Sequence, residues 1–141
     1  MLDGIIKQDV VVEPRGKNSP LFNLNEIRIA SQLFNTYGGT WKLLNEKNFD
    51  KMNPDYIWNS KLWDLKKVSS VKAVNSAVRK GIKQISENTG GLIIEVDANV
   101  DLEAMLEIMN DRIKRSIRHN MDVIVIQLNQ VKYIFRYNKK K

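Results

Sequence analysis

Asn53-Pro54-Asp55-Tyr56-Ile57-Trp58-Asn59-Ser60-Lys61-Leu62-Trp63-Asp64-Leu65-Lys66-Lys67-Val68 is the stretch on which the reading of this chain turns. Tyr56–Trp58 and Leu62–Val68 are rich in strand formers, and Asn59-Ser60-Lys61 between them is turn chemistry, so the stretch predicts a β-hairpin. Asp64 and Lys66 stand two apart on its second arm. Successive strand residues alternate faces, so both project from one side. An acid and a base flanked by Trp63, Leu65 and Val68 suit a cleft better than a core. Asp55 opens the first arm, where antiparallel pairing brings it toward the same face. The plain alternatives are that Asn53-Pro54-Asp55 is a turn and that Asp64 and Lys66 lie on a solvated strand face.

Two carboxylates side by side drive each other to protonate unless a cation intervenes. Oxygen donors of this kind suit Mg²⁺ or Mn²⁺, which use one or two carboxylates together with substrate phosphates. Such an ion polarises a phosphodiester and orients water. Lys66 beside it would position the nucleophile or offset charge developing on phosphate.

Working outward, Asn23 or Asn25 can cap a helix whose apolar set is Ile27, Ala30, Leu33 and Phe34. Glu26 falls in its first turn, where the helix dipole favours a carboxylate, and it could face the cleft as a third acid. Gly38-Gly39 ends that helix, and Trp41–Leu44 suggests a short strand. After the hairpin, Ser69 or Ser70 caps a helix with Val71, Val74, Ala77, Val78, Ile82 and Ile85 on one face, ended by Gly90-Gly91. Leu92–Val96 is a buried strand. A third helix runs from about Asp101 to His119, with Leu102, Met105, Leu106, Met109 and Ile113 inward. Asp122–Leu128 and Val131–Tyr137 form a last hairpin across Asn129-Gln130. The expected fold is α/β, a mixed central sheet flanked by helices in one domain over 21–138. Residues 1–20, with a short strand at Val10–Val12, form a leader, and 139–141 a lysine tail.

The hairpin resembles a known signature. Pro54-Asp55, eight residues, then Asp64-Leu65-Lys66 is similar to the PD-(D/E)xK motif of restriction-endonuclease-like nucleases. More narrowly, residues 23–97 resemble the C-terminal toxin domain of contact-dependent growth inhibition proteins. That likeness is carried by Asn25-Glu26-x-x-x-Ala30, Pro54-Asp55, Asp64-x-Lys66, Ala77-Val78 and Gln84. Asp64 departs from the family's commoner Glu, and residues after 97 match nothing specific. The resemblance implies a restriction-endonuclease-like fold and a metal-dependent nuclease. Glu26, Asp55, Asp64 and Lys66 would be catalytic, Gln84 auxiliary, and Glu26, Asp55 and Asp64 the metal ligands. It further implies tRNA over DNA as substrate, a cognate immunity protein over the cleft, and action in the bacterial cytoplasm as the C-terminal part of a secreted toxin.

Composition bounds these readings. The 141 residues carry a net charge of +7, which favours a polyanion or an acidic protein partner. Lys72, Arg79, Lys114, Arg115 and Arg118 are the candidate phosphate contacts, joined by Lys132 and Arg136 on the last strand; ordinary solvation is the alternative. There is no cysteine, which excludes disulfides, thiolate zinc sites and cysteine nucleophiles. His119 is the single histidine and sits near a helix end, so a two-histidine ribonuclease mechanism is excluded. No apolar run approaches the roughly 18 residues of a membrane span, and the first residues lack a signal-peptide pattern, so a soluble chain is expected. Two competing functions remain: a DNA endonuclease of the same fold, and a non-catalytic basic nucleic-acid-binding module of a mobile element.

Overall fold

The computed structural model describes residues 10–12, 24–44, 55–85, 89–116 and 120–138. Pro54, Arg118, His119, the lysine tail and all of the leader except Val10–Val12 lie outside the described residues. Seven strands form one sheet in sequence order: β1 Val10–Val12, β2 Trp41–Leu43, β3 Tyr56–Trp58, β4 Lys61–Val68, β5 Thr89–Val96, β6 Met121–Gln127 and β7 Gln130–Tyr137. β1–β2, β4–β5 and β5–β6 are parallel, and the remaining neighbours are antiparallel. The fold is therefore α/β with a mixed sheet. Among the described residues, no helix is long and apolar enough to cross a membrane.

Helices cover both faces. α1 (Leu24–Tyr37) buries Ile27, Ile29, Ala30 and Leu33 against Trp41, Tyr56, Trp58, Trp63, Ile93 and Ile124. On the other face α2 (Val74–Ile85) and α3 (Leu102–Ser116) bury Val74, Val78, Ile85, Met105, Met109 and Ile113 against Val68, Leu92, Ile94, Val123 and Val125. Each fully buried side chain of this size contributes about 1.5–3 kcal/mol through loss of apolar surface to water. β5 is sandwiched, which is why Leu92-Ile93-Ile94 reads as an unbroken apolar run. α1 ends where Gly38 and Gly39 take positive φ, of +70° and +91°, a conformation open to glycine. Ser70 caps a 3₁₀ turn, Val71–Ala73, which leads into α2: its hydroxyl accepts the Ala73 N–H at 3.2 Å.

Two expectations shift in the structure. Gly90-Gly91 does not terminate α2 but lies inside β5. The reason is close approach: a Cβ at Gly90 would fall within the Trp63 indole, and one at Gly91 would overlap the Asp122 carbonyl across the β5–β6 ladder. The last hairpin turns one residue earlier than expected, on Leu128-Asn129, both with positive φ of 53° and 62°, the conformation of a two-residue hairpin turn. Gly91→Ala should therefore destabilise the fold by about 2–3 kcal/mol, since the Asp122 backbone it would strike is held in the β5–β6 ladder and cannot readily yield. Urea denaturation of that variant against the parent checks it; an unchanged midpoint would mean the ladder accommodates a methyl group there.

Candidate active site

β3 is short and β4 long, so beyond Trp63 the second arm of the hairpin runs on without a β3 partner. Asp55 fills the gap. Its backbone N–H donates to the Trp63 carbonyl at 3.1 Å, and its carbonyl accepts from Leu44 N–H at 2.9 Å. Its side chain then does what a further strand residue would have done: Oδ2 accepts the Leu65 N–H at 2.7 Å. The carboxylate is thereby fixed opposite Asp64.

Asp64 is 2 % exposed and Glu26 4 % exposed, well below what unpaired carboxylates ordinarily show. Asp55 is hydrogen-bonded to both Asp64 and Glu26. The Lys66 ammonium stands 3.1 Å from Asp64 Oδ2. It lies off the direction a hydrogen bond requires, so that buried oxygen has no hydrogen-bond partner among the described residues. α2 closes the site from above at Gly81: a Cβ there would sit 3.6 Å from Asp64 Oδ2 and 2.8 Å from Leu92 Cδ2. The glycine lets the helix settle on Leu92, beside the carboxylate.

The electrostatics follow from burial and crowding. Burial, then the neighbouring Asp55 carboxylate, push Asp64 up to about 8, against the pull of Lys66. Burial raises Asp55 as well, partly offset by its bonds to Asp64, Leu65 N–H and Glu26 and by the charge on Lys66. Without a further cation the crowded pair is therefore driven to hold a shared proton rather than ionise twice. Tyr56 ties the two layers: its hydroxyl donates to the Glu26 carbonyl at 2.7 Å. Burial and the surrounding carboxylates, Asp55 and Glu26 first, hold that phenol well above its ordinary range.

Of the residues singled out in the sequence, Glu26, Asp55, Asp64 and Lys66 meet at one place. Gln84 lies on the covering helix α2, about one turn beyond Gly81. Lys72 and Arg79 are exposed on the outer side of that segment. Lys114 and Arg115 stand exposed in the last turn of α3, where Arg115 pairs with Asp111 at 2.8 Å. On β7, Lys132 bonds Gln130 at 3.2 Å, and Arg136 pairs with Asp122 at 2.9 Å.

A clamp that positions Glu26 was missed. Glu95 of β5 accepts from Asn25 Nδ2 at 3.0 Å and from Arg28, and Arg28 also donates to Asn25 Oδ1 at 2.6 Å and reaches Asn129. These bonds tie the first turn of α1 to the sheet. The available signal was Glu95 itself, a lone charge inside Leu92-Ile93-Ile94-Glu95-Val96, which a buried strand tolerates only with a partner.

No protein-family model and no curated protein matches the sequence. One solved structure does match: the CdiA-CT/CdiI toxin and immunity complex from Burkholderia pseudomallei. This chain has the fold of a chain in that complex. The two superpose with a TM-score of 0.60 over 91 % of this chain and 98 % of the other, at 19 % sequence identity. The likeness covers 91 % of this chain and so extends past residue 97, where the sequence offered no resemblance.

Proposed function

We propose that this chain is a metal-dependent endonuclease, a toxin domain that hydrolyses phosphodiester bonds in tRNA. The observation that carries the reading is the meeting of Glu26, Asp55, Asp64 and Lys66, with a buried Asp64 oxygen that pairs with the Lys66 charge and, among the described residues, makes no aligned hydrogen bond. That oxygen and its two crowded acids fit a hard divalent cation, Mg²⁺ or Mn²⁺, whose charge would replace the shared proton. Among the described residues, no three carboxylates or histidines stand in the geometry of a preformed metal cage. Asp55 and Asp64 would hold the ion, with Glu26 and phosphate oxygens of the substrate completing its shell. When bound, such an ion polarises the phosphodiester and makes water a stronger acid.

The chain's own groups supply the rest. Leu65 N–H holds the Asp55 carboxylate in one orientation, beside Asp64. Lys66, tethered by the Asp64 charge, is placed to orient the attacking water and to offset charge developing on phosphate. The net charge of +7 concentrates polyanions around the domain. The partner chemistry follows from the same balance: a cognate immunity protein with an acidic face would complement this surface. The basic balance and the acid–lysine cluster favour the toxin role over the immunity role within the fold.

The test is cleavage of total tRNA and of plasmid DNA with Mg²⁺, with Mn²⁺ and with EDTA. EDTA-sensitive cleavage, faster on tRNA, is expected. Faster cleavage of plasmid would assign the same site to DNA, and inertness toward both under either metal would leave a basic binding module.

A further inference from the structure

A second recess lies away from the carboxylates: a cavity of about 820 Å³ at the other end of α1, where β4, β5 and β6 begin. Its aromatic members are the exposed Tyr37 and, behind it, the largely buried Trp58 and Trp63, 8 % and 6 % exposed; Asn59, Asn138 and Lys61 stand among its polar lining.

The wall is built rather than incidental. Trp58 stacks on Trp41 with ring centroids 4.2 Å apart and planes 23° apart. Both indole N–H groups donate to the same carbonyl, that of Gly38, at 3.1 Å. Trp63 continues the series 5.0 Å from Trp58. Two glycines make room for it: a Cβ at Gly39 would strike the Trp58 indole, and one at Gly90 the Trp63 indole. Tyr37, the last residue of α1, is 44 % exposed at the lip, with its ring 6.3 Å from that of Trp58. The cations at this end are Lys61 and Arg136, the latter held by Asp122, which is also the acid in the lining. Asn59 Oδ1 accepts the Thr40 N–H at 3.0 Å, which leaves its amide N–H₂ as the donor for a ligand.

We propose that this cavity seats one nucleotide of the substrate strand, its base on the exposed Tyr37 ring beside the two indoles and its phosphate toward Lys61. The inference rests on the nuclease reading and gives that site a second point of attachment. Flat aromatic walls accept any base by stacking, and a cation takes the phosphate. An apolar side chain from a partner protein would have no use for Lys61. Glu26 and Tyr37 are eleven residues apart on α1, a rise of about 16 Å. At about 3.4 Å per stacked nucleotide, that is roughly five nucleotides from the scissile phosphate. The cavity would therefore act on affinity and choice of cleavage position, not on the chemical step.

The probe is a set of nucleoside 5′-monophosphates added to the full chain in EDTA, with inorganic phosphate as control. Indole N–H resonances report which of the three tryptophans respond. Saturable shifts at Trp58 and Trp63 with nucleotides, and none with phosphate, are expected. Tyr37→Ala and Lys61→Ala, both at exposed positions, should raise Kd about tenfold, while Asp64→Asn leaves it unchanged. In cleavage assays Tyr37→Ala should raise KM for long RNA about tenfold at constant kcat, with no effect on fragments of three nucleotides. Nucleotides that leave both indoles unmoved, or variants that bind like the parent, overturn the subsite even if cleavage is robust. Shifts at both indoles in a chain that cleaves nothing uphold the cavity and overturn the nuclease reading instead. Shifts produced only by an acidic protein partner overturn it in favour of a protein-docking role.

Discussion

Asp64→Asn is expected to slow cleavage by about 10³-fold and, in the same protein without metal, to raise the melting temperature. The first half follows from the site's charge. An amide keeps the shape of Asp64 but removes the anionic oxygen that Lys66 approaches to 3.1 Å. Loss of about 4 kcal/mol of transition-state stabilisation is the usual scale for removing such an electrostatic group, and it corresponds to about 10³ in rate. Lys66→Ala should fall by a similar factor, since the carboxylates then lack their one basic neighbour in the cluster. The second half follows from burial. Asp64 is 2 % exposed and crowded by Asp55, so its ionised form is disfavoured in the fold. Asparagine cannot ionise and can donate an N–H to Asp55. A gain of about 1–2 kcal/mol at pH 8 is expected, or roughly 3–8 °C for a chain near this size. Cleavage rates and melting curves of parent and variant in EDTA decide both halves. A variant that is slower and also less stable would mean that Asp64 is a structural residue and that its carboxylate is satisfied in the native fold.

That Glu26, Asp55, Asp64 and Lys66 would come together as a candidate site was legible in the sequence for a physical reason. Asp64 and Lys66 conflict with the apolar surroundings that Trp63, Leu65 and Val68 announce, and conflicts between a local residue and its level of structure collect at functional positions. The alternation rule alone put both on one face, and the structure keeps them there. The α/β class came from helical spacing in Ile27–Phe34, Val74–Ile85 and Leu102–Ile113, because each of those segments buries one stripe against a sheet.

Misreadings occurred where a residue's role depends on a segment distant in sequence. Gly90 and Gly91 look like a helix stop, because local chemistry is all that a sequence window contains. Their actual constraint is the Trp63 ring on the preceding strand and the Asp122 carbonyl on the following one. The Asn25–Arg28–Glu95 clamp joins positions about 70 apart in the chain, and no periodicity couples them. Tyr56 reads as a strand aromatic; that its hydroxyl holds the Glu26 carbonyl needs the packing of α1 over β3. The cavity is assembled from α1, β3 and β4, and no periodicity couples Tyr37 at a helix end with Trp58 and Trp63 on the two arms of the hairpin.

The metal-free protein should lose stability as pH rises from about 5 to 8, opposite in sign to the usual salt-bridged carboxylate. Asp64 ordinarily titrates at 3.8 and in the fold is pushed up to about 8; Asp55 is shifted the same way. Between those limits the unfolded chain has released a proton that the native cluster still holds. Stability changes with pH in proportion to protons bound by the unfolded state minus those bound by the native state, which here is negative. The contribution is therefore complete below about 4, declines through the window, and is exhausted above 8. For one shared proton the steepest slope is about 1.4 kcal/mol per pH unit. Melting temperatures in EDTA at pH 5, 6, 7 and 8 measure it, and Asp64→Asn should flatten the dependence. Mg²⁺ or Mn²⁺ should restore the loss at pH 8 in the parent, because a ligand that binds only the native state stabilises it by mass action. The same ions should do little for the variant. A parent whose stability is level or rises across the window, with no response to either metal, would mean that the carboxylates are neutralised inside the fold and leave no place for a cation.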